Sequence, residues 1–77
     1  MNITITDVQN AKEDDALGKV RDAIVLVEMQ TGRGFNFPDD IKLKIIDSIP
    51  VIHAHQASLR DLTFTVQAVA NAIWLRK

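Results

Sequence analysis

Ile52, His55, Leu59, Leu62, Val66, Val69 and Ile73 follow one another at alternating steps of 3 and 4 residues. That is a heptad stripe with one polar intruder, His55. It predicts an amphipathic helix begun at Pro50. On the alternative reading the helix begins at Ser58, where Ser58 and Asp61 form a weak version of a capping box. Arg76 and Lys77 suit the negative end of its dipole. At about 100° per residue the same helix has a second apolar side, made of Ala57, Phe64, Ala68, Ala72 and Leu75, centred roughly 150° from the first. The polar stripe left between them is His53, Gln56, Arg60, Thr63, Gln67 and Asn71.

A helix with two apolar sides needs two partners. In a compact bundle it lies in the middle and touches both other helices. Alternatively, one side meets another molecule, as exposed apolar patches of more than a few hundred Å² commonly do. A homo-oligomer satisfies both accounts. The contact candidates are Leu26, Met29, Phe64, Ala68, Trp74 and Leu75.

The size of the chain sharpens the question. A core built from 77 residues rarely supplies more than about 3–5 kcal/mol, so domains of this size often add disulfides, metals or partners. There is no cysteine, which removes disulfides, thiolate nucleophiles and cysteine-bearing zinc sites. Hydrophobic residues at 47% and charged residues at 25% argue for a folded domain. The net charge is −1 with lysines and arginines scattered, so no basic cluster marks a phosphate-tracking surface. The longest apolar run, Ala23 to Val27, is far short of the ~20 residues of a membrane span. The opening MNITITDVQN has no signal-peptide pattern, and a cytoplasmic location is expected.

Two further helices are predicted upstream. The first covers about Ala11 to Gln30, with Asp14 and Asp15 at its positive end and Leu17, Val20, Ala23, Ile24 and Val27 on one face. Val25, Leu26 and Met29 fall outside that face. Gly32 and Gly34 supply its stop. The competing reading makes Ile24–Val27 a strand and residues 23–37 a β-hairpin. The second helix opens at Pro38, Asp39 and Asp40, carries Ile41, Ile45, Ile46 and Ile49, and ends at Pro50. The alternation of Ile3, Thr4, Ile5 and Thr6 predicts a short strand or extended arm that lies against the helices or pairs with another chain, or else a first helical turn. The fold expected is a single all-α domain over residues 1–77, a small bundle of about three helices with an extended N-terminal arm.

Catalytic and metal chemistry is not expected. His53 and His55 on a helix point about 160° apart and cannot share one ion. His55 is expected as a hydrogen-bonded residue on the packed stripe. Asp14-Asp15 and Asp39-Asp40 are adjacent pairs that serve helix starts rather than one cleft. Gly32-Arg33-Gly34 lacks the longer glycine fingerprint of phosphate loops, and Ser48 and Ser58 have no evident base. A helix-turn-helix would use DDIKLKIIDSI as its recognition segment, but that segment is acid-flanked and apolar.

One family resemblance covers about half the chain. AIVLVEMQTGRGFNFPDD followed by LTFTVQAVANAI resembles the second half of an acyl carrier protein, through Phe35, Pro38, Asp39, Asp40 and Thr65-Val66-Gln67-Ala68. The resemblance implies an apolar helix leading through a Phe to a Pro-Asp-Asp turn, then to a Thr-Val-Gln-Ala helix. The chain departs from the family at the attachment point for phosphopantetheine, a Ser in an Asp-Ser-Leu motif. Here that region reads Leu17-Gly18-Lys19-Val20, without a Ser. The family's first helix has no counterpart, and the segment from Ile41 to Leu62 is longer than the family's.

The function expected from these observations is protein–protein interaction. The chain reads as a small non-enzymatic regulator, inhibitor or adaptor of the accessory or phage type, self-associating through its C-terminal helix, with no cofactor and no metal. The alternatives are a dimeric nucleic-acid-binding regulator and an acyl-carrier-like protein that lacks the attachment Ser.

Overall fold

The computed structural model describes residues 3–12 and 15–74. They form five helices: α1 (Ile5–Asn10), α2 (Ala16–Thr31), α3 (Asp39–Ser48), α4 (Val51–Gln56) and α5 (Leu59–Ile73). Among the described residues there is no strand. The all-α expectation holds, with five helices in place of about three.

The expected extended arm is a helix. Thr4 is the N-cap of α1: its hydroxyl accepts from the Asp7 N–H at 3.2 Å, and the Asp7 carboxylate accepts from the Thr4 N–H at 3.0 Å. Two donors that a helix start leaves open are thereby satisfied, which outweighs the β-type alternation. The far end is closed from elsewhere. Arg21 on α2 donates to the carbonyls of Val8, Gln9 and Ala11. Val8 turns its side chain into the core.

Helix α2 starts at Ala16, later than the expected Ala11. Ala11 and Asp15 are both extended, so α1 and α2 are separate helices. Asp15 is the N-cap; Asp14 lies outside the described residues. Val20, Ala23, Ile24 and Val27 are buried and Leu17 is half-buried, as their spacing predicts. Gly32 caps the end through its N–H to the Glu28 carbonyl, and Gly34 takes the left-handed φ of 75°. Residues 23–31 are thus helix, and the hairpin reading is overturned.

Pro38 stands at the N-cap of α3, one position before the predicted one, with Asp39 and Asp40 in the first turn. Ile49 is extended ahead of Pro50, where ring sterics disfavour the helical conformation. The predicted third helix is two. Ala57 is extended, and Ser58 caps α5 by accepting from the Asp61 N–H at 3.2 Å. The ammonium of Lys19 holds the break, donating to the carbonyls of His55 at 3.2 Å and Ala57 at 2.7 Å. The break also splits the heptad stripe. Ile52 is 68% exposed and Leu59 39%, while Leu62 and Val66 are wholly buried. His55 is exposed, not packed on a stripe as expected.

Helix α2 is the centre of the fold and packs against each of the other four helices. Ile45, Leu62 and Val66 are the largest fully buried side chains, so the core lies where α2, α3 and α5 meet.

One buried carboxylate fixes the loop between α2 and α3. Glu28 accepts from the Phe37 N–H at 2.7 Å and faces the Lys42 ammonium at 3.9 Å. Glu28→Ala is expected to destabilise the fold by about 1–3 kcal/mol, because a buried N–H is left unpaired. Glu28→Gln keeps an acceptor oxygen and is expected to lose less. Urea midpoints of the two variants check this; equal midpoints would remove the role assigned to that hydrogen bond.

Candidate interaction surface

The inner side of α5 is consumed by the core through Leu62, Val66 and Ala70. Its second apolar side is not. Phe64 is 62% exposed, and Ala68 and Ala72 are exposed. On α2, Met29 is 70% exposed, and Val25, 44% exposed, lines a hollow on the side of α1 instead. Between the two helices runs a shallow groove of about 370 Å³, with Leu26, Leu59, Thr63 and Phe64 on its walls and Gln30, Gln67 and Arg60 around it.

The structure places the predicted contact residues unevenly. Leu26 and Phe64 share this groove. Ala68 is exposed one turn beyond Phe64 on α5. Met29 is exposed one turn after Val25 on α2 but does not line the groove. Trp74 turns toward the aromatic rings of the α2–α3 loop, with ring centroids 5.3 Å from Phe35 and 5.3 Å from Phe37. Leu75 lies outside the described residues.

Thr63 was expected on the polar stripe and is buried. Its hydroxyl donates to the Leu59 carbonyl at 2.8 Å, which satisfies it without solvent. The remaining members of that stripe, His53, Gln56, Arg60, Gln67 and Asn71, are exposed. Sequence reasoning also missed Leu59 as a groove wall, because the stripe assigned it to the core.

A second hollow, of about 330 Å³, continues the groove past Gln30 and Gln67. Phe35, Phe37 and Trp74 form its aromatic side.

Residues sought for chemistry are dispersed. Among the described residues no three of His, Cys, Asp and Glu come together as a metal set. His53 Nε2 lies 3.4 Å from the Thr65 hydroxyl, on the surface. The apolar side of α3 is in the core, and its remaining surface carries Asp39, Asp40 and Asp47 against Lys42 and Lys44. From Asp15 to Asp22, where the family resemblance would place the attachment Ser, no residue has a hydroxyl. Among the described residues, no helix is long and apolar enough to cross a membrane.

Comparison of the chain with protein-family models, with curated proteins and with solved structures finds no match.

Proposed function

We propose that this chain is a non-enzymatic interaction module that self-associates through the outer side of α5, acting as a small regulator or adaptor. The observation that carries the reading is Phe64. A phenylalanine left 62% exposed beside an apolar groove forgoes part of the ~1.5–3 kcal/mol that full burial contributes. In a two-fold pair the gain occurs twice, because each copy offers both the ring and the groove. Ala68 and Ala72 are small enough to let a second α5 approach closely. A standard interface takes about 800 Å² per partner, roughly 15% of the 5227 Å² exposed by this chain. The outer side of α5 and the adjoining α2 surface are the apolar ground on which such an area fits.

Cysteine placement tests the reading cleanly, since the chain has none of its own. With a short bis-maleimide, Ala68→Cys is expected to give linked dimers. Lys44→Cys, on the exposed side of α3, is expected to stay single. Equal linking at both positions, or none at Ala68→Cys, contradicts the proposed face.

An acyl-carrier-like protein without a carried group is a second reading. One observation favours it: the two stretches that carry the resemblance pack against each other, with α2 on α5 and Phe35 and Phe37 on Trp74. A phosphopantetheine mass on protein recovered from cells would support an acyl-carrier role over the first reading, and the absent Ser predicts none.

A further inference from the structure

The second hollow has a chemistry that the self-association reading does not use. Phe35, Phe37 and Trp74 stand with ring centroids 5.0 to 5.3 Å apart, tilted or edge-on to one another, and all three line the cavity. Its rim carries three carboxamides, Gln30, Gln67 and Asn71, all exposed and none hydrogen-bonded within the described residues. Among the described residues no charged side chain lines it.

We infer that this hollow is a binding site for a neutral, fused bicyclic heteroaromatic molecule of purine or indole size. Three properties select that class. Aromatic pairs offset or edge-on contribute about 0.5–1.5 kcal/mol beyond area burial, so the wall favours a ring over an aliphatic chain. Carboxamides present a donor and an acceptor side by side, which matches the edge of a heterocycle that carries both. Among the described residues an ionised ligand would meet no counter-charge for the hydration it loses. Size fits as well: about 330 Å³ is roughly twice the ~150 Å³ cavity that takes a single benzene ring, and it lies at the small end of ligand pockets, about 300–1,000 Å³.

The test is an NMR titration of the full chain labelled with nitrogen-15. Trp74 is the sole tryptophan, so its indole N–H is a unique reporter, and the Asn71 side-chain amide is a second. Adenine and 7-azaindole are the probes. Both are expected to shift the two signals saturably, while cyclohexanol and benzoate at equal concentration do not. Asn71→Leu, an exposed position, is expected to weaken adenine binding about tenfold, the loss of one hydrogen bond. Absence of saturation with both probes, or an equal response to cyclohexanol, overturns the assignment. The inference does not rest on self-association. The titration is therefore repeated on Phe64→Asp, where saturation is again expected. Its loss there would overturn a site made by a single chain.

Discussion

Val66→Asp is expected to leave the chain without stable helical structure at 25 °C. Val66 is 0% exposed and packs with Ile45 and Leu62, both also 0% exposed. An unpaired charge in such a place costs several kcal/mol. A domain of this size holds only about 3–5 kcal/mol in reserve. The change also removes the apolar contacts of the valine. Far-UV circular dichroism should show the helical signal lost. A cooperative melt close to that of the unmodified chain would mean that α5 does not present this side to α2 and α3.

The same substitution two residues away is expected to do something quite different. Phe64→Asp should keep the helical signal, with stability changed by about 0.5 kcal/mol or less, as for a surface position. Successive residues on a helix diverge by about 100°, so Phe64 lies on the far side of α5 from Val66. In the monomer its ring is mostly solvated, and a carboxylate there is solvated too. In the proposed pair the carboxylate would replace the ring against an apolar groove and meet its own copy across the axis. Association is therefore expected to fall below detection at concentrations where the unmodified chain is paired. Loss of helicity in Phe64→Asp would place Phe64 in the core. Association kept at full strength would move the contact to another face. Together the two variants separate packing from partnering on one helix, because each predicts what the other should not show.

Much of the fold follows from local pattern. Val20, Ala23, Ile24 and Val27 repeat at helical spacing and are buried together on α2. Pro38 with two aspartates starts α3, and Pro50 stops it. Ser58 starts α5, as the alternative start predicted. Local pattern leaves α1 open between an arm and a helical turn and does not show α4 as a separate helix; each has 6 residues. Isolated helices of that length are unstable in water. They persist here because Arg21 and Lys19, neighbours on α2, point to opposite sides and satisfy the carbonyls at the end of α1 and of α4 respectively. Those bonds join residues as far as 38 positions apart, and no periodicity announces them. Without the Lys19 contact, the stripe from Ile52 to Ile73 reads as one helix.

The candidate surface was legible to the same extent. Phe64 and Ala68 were visible as a second side of α5, and Leu26 and Met29 as residues off the buried face of α2. The meeting of Leu26 and Phe64 in one groove depends on how α2 lies on α5, which spacing alone does not give. Glu28 carries a signal in the sequence: it stands four residues after Ile24, in line with the apolar face, where a carboxylate requires a buried donor. The Phe37 N–H is that donor. Trp74 had no such signal, since its neighbours Phe35 and Phe37 reach it only through the turn after α2.

The most direct test of self-association is molar mass by light scattering on a sizing column, over a hundredfold range of loading. A chain that pairs through α5 is expected to show twice its 8.6 kDa at high loading, falling toward the monomer as the protein is diluted. A mass of 8.6 kDa at every loading would contradict that pairing.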